Sequence, residues 1–208
     1  MKKFALMTAF VMAGSGSAGA ATLINGSFEA PGTYDGSFQT VWAGSTALEG
    51  WTIESGSVDL IGSYWQHSDG DYSLDMNGSA LGVISQRIAD LVVGAYYALS
   101  FDMAGNTYYG GTTMSVTASV DGAGGGVFEF DTTGQSQSDM GWLTQSFQFQ
   151  ATDTSAVLQF ASNETGVVGP ALDNVRIEEV VAPVPVPAAG GLLLAGLGLL
   201  GFARRRLS

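Results

Sequence analysis

Cysteine is absent from this 208-residue chain, and histidine occurs once, at position 67. The first absence removes disulfides, thiol nucleophiles and thiolate metal sites, so stability must come from a hydrophobic core, with at most a metal to help. The second leaves His67 beside Ser68 and Asp69, neighbours too close in sequence to form a catalytic triad by themselves, and no Gly-x-Ser-x-Gly elbow occurs. Basic residues are almost as scarce. Five of the seven, Lys2, Lys3, Arg204, Arg205 and Arg206, lie close to the two ends. Between them only Arg87 and Arg176 face all nineteen carboxylates, a formal charge of −17. That balance excludes nucleic acid and anionic membrane surfaces as partners of the body, and is compatible with bound divalent cations or a solvated, non-associating surface. Long runs that are both uncharged and apolar occur only towards the ends.

Those end segments read as targeting signals. Lys2-Lys3, the apolar run 4–13 and the small residues Ala18-Gly19-Ala20 have the order of a secretory signal peptide, with Ala21 the expected first mature residue. Towards the other end stand Pro183 and the motif Val184-Pro185-Val186-Pro187-Ala188, an uncharged stretch 188–203, and Arg204-Arg205-Arg206 as a stop. Sixteen uncharged residues rise about 24 Å as a helix, a little short of the roughly 30 Å hydrocarbon core, and arginines can snorkel to make up the difference. Positive charge beside a span stays in the cytoplasm, so the body is expected outside it. The expected division is a signal peptide over 1–20, one domain over 21–180 and a sorting segment over 181–208.

In the body, apolar residues alternate with a period of two, and no stretch holds helical periodicity. Residues 112–120 (TTMSVTASV) alternate and end at Asp121-Gly122, a hairpin signal, with 126–130 returning. Residues 143–149 place Leu143, Gln145, Phe147 and Phe149 on one face and Thr144, Ser146 and Gln148 on the other. Further strands are predicted over 22–28, 51–53, 58–61, 83–88, 97–102, 156–160 and 172–177. About ten short strands broken by Gly, Asn, Asp and Ser turns predict an all-β fold, an antiparallel β-sandwich.

Three groups of residues could carry function. The stretch Asp69-Gly70-Asp71-Tyr72-Ser73-Leu74-Asp75-Met76-Asn77 would line one face with its odd positions if extended, but it lacks EF-hand spacing and reads better as solvated turn and strand. Aromatic rings beside amides and carboxylates suit sugars, whose flat C–H faces pack on rings while hydroxyls take hydrogen bonds. Tyr64 and Trp65, beside Gln66, His67 and Asp69, are the first choice for such a site, with Tyr108 and Tyr109 second. Trp51 and Trp142 each follow a glycine and open a strand, which predicts core positions, and Trp42 is open. A glycosidase needs only two suitably separated carboxylates, so that chemistry stays open although no pair stands out.

The tail resembles the PEP-CTERM class of sorting signals, in the variant reading Val-Pro-Leu-Pro-Ala, with Val186 in place of Leu. That likeness implies processing by an exosortase-type membrane peptidase, anchoring in the inner membrane of a Gram-negative cell, and release to the surface or an exopolysaccharide matrix. The body has a likeness of its own. It is carried by Asn25-Gly26-Ser27-Phe28-Glu29, Gly50-Trp51, Gly56-Ser57-Val58-Asp59-Leu60-Ile61, Ser73-Leu74-Asp75-Met76-Asn77-Gly78, Ile84-Ser85-Gln86, Tyr97-Ala98-Leu99-Ser100-Phe101 and Gly169-Pro170-Ala171-Leu172-Asp173-Asn174-Val175. Together these resemble the choice-of-anchor C family. The resemblance implies a galactose-binding-like jelly roll associated with extracellular polysaccharide, without a known enzymatic activity. In jelly-roll carbohydrate-binding modules of this kind, a Glu after the Asn-Gly-x-Phe strand and an Asp in the last strand commonly share a structural Ca2+, which the resemblance carries to Glu29 and Asp173. The expectation is an exported, non-catalytic glycan-binding protein. A secreted glycoside hydrolase or lyase and a purely structural surface protein are the alternatives.

Overall fold

The computed structural model describes residues 20–30 and 34–180. The predicted signal peptide and the predicted membrane-spanning helix lie outside the described residues. Eleven strands occur, and no helix is found among the described residues. They are β1 (Phe38–Trp42), β2 (Thr52–Ser55), β3 (Ser57–Ile61), β4 (Ser73–Asp75), β5 (Val83–Ile88), β6 (Tyr96–Gly105), β7 (Thr113–Val120), β8 (Gly124–Asp131), β9 (Leu143–Gln150), β10 (Ala156–Ser162) and β11 (Pro170–Val180). One sheet has the order β1-β3-β4-β11-β6-β9 and the other β2-β5-β10-β7-β8, and every pairing is antiparallel. This is a jelly-roll sandwich.

Alternation decides which side chains meet between the sheets. On β6, Tyr97, Leu99, Phe101 and Met103 are all fully buried, and β7 contributes Met114, Val116, Ala118 and Val120 from the facing sheet. Phe101 spans the gap, with ring centroids 5.0 Å from Phe160 of β10 and 5.1 Å from Phe128 of β8, both edge-on. Trp51 closes one end of the core, 5.4 Å from Phe28 and 6.1 Å from Phe160, while its Nε1–H donates to the Asn25 carbonyl at 2.9 Å. Large aromatic area buried at such contacts stabilises this chain without cross-links.

The predicted hairpin forms: β7 and β8 pair along their whole length, and the turn 121–123 carries Gly122 at φ +67°. Residues 22–28 do not form the predicted strand. Only Thr22 pairs, with Ala89, after which Asn25 (φ 51°) and Phe28 (φ 60°) take the left-handed region and the Phe28 N–H closes a turn onto the Asn25 carbonyl. The Asn25 side chain holds that turn by exchanging hydrogen bonds with Ala30 at 2.9 Å in both directions. A local side-chain bond of this kind competes with the ladder, and Asn tolerates positive φ better than most residues. Strands β1 and β4 were not foreseen, because each is short and mixes polar with apolar residues.

Candidate functional site

The outer face of the six-stranded sheet is unusually polar. Register places Asp59 of β3 opposite Asp75 of β4, and Asp75 opposite Ala171 of β11. Asp102 of β6 lies opposite both Asp173 of β11 and Thr144 of β9. Their neighbours Val58, Leu60, Leu74, Leu172 and Met103 point inward and are buried. The carboxylates therefore share one face because the chain alternates, not because they are clustered in sequence.

Half of this face is roofed by the connection 62–72. Asp173 Oδ2 accepts the N–H groups of Ser68 and Asp69, both at 2.9 Å, and Glu29 Oε1 accepts those of Asp71 and Tyr72 at 3.0 and 2.9 Å. Between the two pairs stands Gly70 at φ +61°, and a Cβ there would overlap the Glu29 carboxylate. Asp102 adds a third clamp, accepting Ser68 Oγ at 2.5 Å, Thr144 Oγ1 at 2.6 Å and Asn174 Nδ2 at 3.0 Å, with Arg176 at 3.7 Å. Burial opposes the charge on Asp102, but these hydrogen bonds and Arg176 outweigh it and hold the carboxyl below its ordinary pKa. Asp173 goes the other way: burial dominates its three amide bonds and pushes it up to about 7. The two residues expected to share Ca2+ thus both grip one loop. Asp173 Oδ1 also accepts the Asn174 N–H at 2.7 Å, which leaves Glu29 Oε2 as the oxygen of the pair with no recorded partner among the described residues. Among the described residues, no group of three or more His, Asp or Glu side chains is placed to hold a metal.

The other half of the face is open. A cleft of about 240 Å³ is lined by Phe38, Tyr64, Tyr108 and Tyr109 around Asp59, Asp75 and Asn106, with Val167 and Val168 closing one side. Tyr108 and Tyr109 are 67% and 70% exposed and meet edge to face at 5.0 Å, and Tyr64 meets Phe38 edge to face at 5.9 Å. At the back, Asp75 is buried. Its Oδ1 accepts the Asn77 N–H at 2.8 Å and its Oδ2 accepts Asn106 Nδ2 at 2.7 Å. Burial pushes its pKa up to about 7 against these bonds, with Asp59 repulsion adding to the rise. Asp59 is raised too, by burial, although Thr40 Oγ1 donates to it at 2.6 Å.

The sequence-predicted sugar site is divided by the fold. Tyr64 does line the cleft. Trp65 does not: it is 4% exposed, packs in the core and donates Nε1–H to Ser73 Oγ at 2.8 Å, so its ring faces are closed to a ligand. Gln66 is tied to the segment 137–142 through the Met140 N–H, the Gln137 carbonyl and Trp142 Nε1. Asp69 sits in a separate depression with Asn174 and Arg176. His67 is held between Ser73 Oγ and the Gly62 carbonyl. Tyr108 and Tyr109, the second choice in sequence, stand on the cleft, while Phe38, Asp59, Asp75 and Asn106 join it from positions not singled out as sugar contacts. The signal for Asp59 was available: a carboxylate alternating with Val58 and Leu60 in a strand must leave the core on the opposite face. The acidic stretch 69–77 does not form one ligand face, because only Ser73–Asp75 is extended.

A family model described as "Protein of unknown function (DUF642)" matches residues 21–178, and the PEP-CTERM protein-sorting motif matches residues 183–206. That motif indicates an exported protein whose C-terminal segment is processed at the membrane. Halomucin of Haloquadratum walsbyi is 34% identical over 189 residues, covering 88% of this chain, and the chain spans 2% of that relative's length. Among solved structures, TmCBM61 in complex with β-1,4-galactotriose is 15% identical with a TM-score of 0.47, covering 76% of this chain and 97% of that one. A family 35 carbohydrate-binding module from Clostridium thermocellum is 14% identical with a TM-score of 0.42, covering 69% and 92%. The CBM22-1 xylan-binding domain of Paenibacillus barcinonensis Xyn10C is 19% identical with a TM-score of 0.43, covering 70% and 94%.

Proposed function

The chain belongs to the DUF642 family, and we propose that it is an exported surface or matrix protein that binds an uncharged glycan, without catalysis, in the cleft between β1, β3, β4 and the 106–109 segment. One observation carries this: four aromatic rings, two of them largely exposed, ring a floor of Asp59, Asp75 and Asn106. Rings supply flat apolar contact and Asp59, the half-buried residue of the floor, supplies hydrogen bonds, while Asp75 and Asn106 brace the floor from behind. Among the described residues no Lys or Arg lines the cleft, so a uronic acid or sulfated sugar would meet carboxyl groups and no countercharge there.

The rival reading, a glycoside hydrolase or lyase, draws on the Asp59–Asp75 pair. The surroundings of Asp75 weigh against it. Both its oxygens are already engaged by Asn77 and Asn106, and the carboxyl is 1% exposed, so it serves as a fixed floor rather than a group presented to an anomeric carbon. Isothermal titration of the full chain, purified in detergent, against neutral oligosaccharides, with a reducing-end assay on the same samples, separates the readings. Saturable binding without new reducing ends is expected; new reducing ends support the enzyme, and silence in both assays leaves a structural surface protein.

Two further parts of the proposal concern the flanks of the site. The sorting motif supports an exosortase-type peptidase as processing partner, with the chain held in the inner membrane before release. A structural Ca2+ at Glu29 and Asp173 would take Glu29 Oε2 and draw its remaining oxygens from backbone carbonyls and water. It is tested by chelation: a melting temperature unmoved by EGTA removes it.

A further inference from the structure

Trp42 is the most exposed of the four tryptophans at 54%, and among the described residues no acceptor partners its indole N–H. Trp51, Trp65 and Trp142 each have such a partner, in Asn25, Ser73 and Gln66 respectively. The fold fixes which way Trp42 faces. Thr40 bonds Asp59, so even-numbered positions of β1 lie on the outer face that carries the cleft, while Val41 between them is buried in the core. Phe38, Thr40 and Trp42 therefore form one row along β1, an edge strand of the six-stranded sheet. Phe38 is a wall of the cleft and 47% exposed. Four residue steps of extended chain separate it from Trp42, about 13 Å, well beyond the width of one sugar ring.

The ground beside the two rings is bordered by the backbone of residues 78–80. Ser57, opposite Trp42, is buried and its Oγ is used up by the N–H groups of Ser79 and Ala80 at 2.8 and 3.1 Å. Residue 78 is a glycine packed against Asp59, Ser57 and Thr40; a Cβ there would lie 2.8 Å from Asp59 Oδ1 and 3.1 Å from Thr40 Cγ2. At residue 78, therefore, no side chain rises between Phe38 and Trp42. Neither cation of the body serves this row: Arg87 lies on β5 in the other sheet, and Arg176 is paired with Asp102.

We propose that Trp42 is a distal subsite of the cleft, so that the protein takes a linear, uncharged oligosaccharide laid along β1 from Tyr108 and Tyr109 past Phe38 to the indole, rather than a single terminal sugar. The proposal rests on the carbohydrate reading of the cleft and names its ligand as a chain. An edge strand suits this, since it has no further strand beside it and lets the ligand continue past the protein at either end.

The test is titration calorimetry of the full chain in detergent with neutral β-linked gluco-, xylo- and galacto-oligosaccharides of graded length, from disaccharide to hexasaccharide. For the series that binds, affinity should rise about tenfold or more with length, the size of one good aromatic contact. Trp42→Ala should abolish that rise, leave the disaccharide affinity and the melting temperature unchanged, and be partly rescued by Trp42→Phe. Tyr109→Ala should weaken every length alike. A Trp42→Ala variant that follows the wild-type length dependence, or that loses short and long ligands equally, overturns the subsite while the cleft stands. A wild-type protein that binds none of the series overturns the carbohydrate reading and the subsite with it.

Discussion

Asp75 and Asp173 are buried carboxyls whose pKa rises from an ordinary 3.8 to about 7. Desolvation dominates in both, so the folded state holds protons that the unfolded chain releases. Their contribution to stability is therefore complete below about pH 4, declines as pH climbs towards 7 and is gone above it. Asp102, held low by its donors, acts in the opposite sense and loses its contribution as pH falls. The clean measurement is a difference: the fall in melting temperature between pH 4 and 7 should be shallower in Asp75→Asn than in the wild type, and parallel curves would refute the assignment. Trp65 offers a second comparison at this scale. Its burial predicts that Trp65→Ala costs about 3–5 kcal/mol in denaturant unfolding, the range for removing a large aromatic from a core. A ligand platform would instead lose sugar binding at unchanged stability, which is the behaviour expected of Tyr109→Ala.

Among the elements, the connection 62–72 organises the site, since it roofs half the polar face and thereby decides which half stays open. Glu29, Asp102 and Asp173 hold it by five hydrogen bonds from residues 68–72, and Gly70 supplies the one conformation that lets both amide pairs turn inward. Gly70→Ala should cost about 1–3 kcal/mol through the disfavoured positive φ, with the overlap on Glu29 added. Hydrogen exchange at the amides of Ser68, Asp69, Asp71 and Tyr72 should rise in that variant while β7 and β10 stay protected. How much of this was legible varied from element to element. Strands with clean alternation, such as 112–120 and 143–149, could be read directly because burial of one face leaves a period of two in the sequence. The turn at 25–28 misled because Asn25-Gly26-Ser27-Phe28 also fits a strand, and the Asn25 side chain outcompetes the ladder. The cleft was only half visible: Tyr64, Tyr108 and Tyr109 announce themselves, whereas Asp59 and Asp75 become neighbours only through register between β3 and β4. Trp65 reads as a ligand platform because glycine and polar neighbours surround it in sequence, yet those neighbours form the roof that buries it.

At the scale of the molecule, net charge and cleft chemistry make separate statements. A body of formal charge −17 repels itself, so added salt should raise its melting temperature, most steeply at low ionic strength where screening changes fastest. Binding in a cleft without cations should not share that dependence. Affinity for a neutral oligosaccharide is expected to stay within about twofold from 50 mM to 500 mM NaCl, since no counterions are released when an uncharged ligand binds. A steep loss with salt would instead mean that charged groups carry the recognition. The last strand matters here as well. β11 sits inside the six-stranded sheet, flanked by β4 and by β6, with which it shares nine registered pairs. The sorting motif begins three residues beyond it. A load applied at Val180, were the mature chain held through the segment that follows, would run lengthwise along β11 and be resisted in shear by its nine-pair ladder to β6, not peeled bond by bond from an edge.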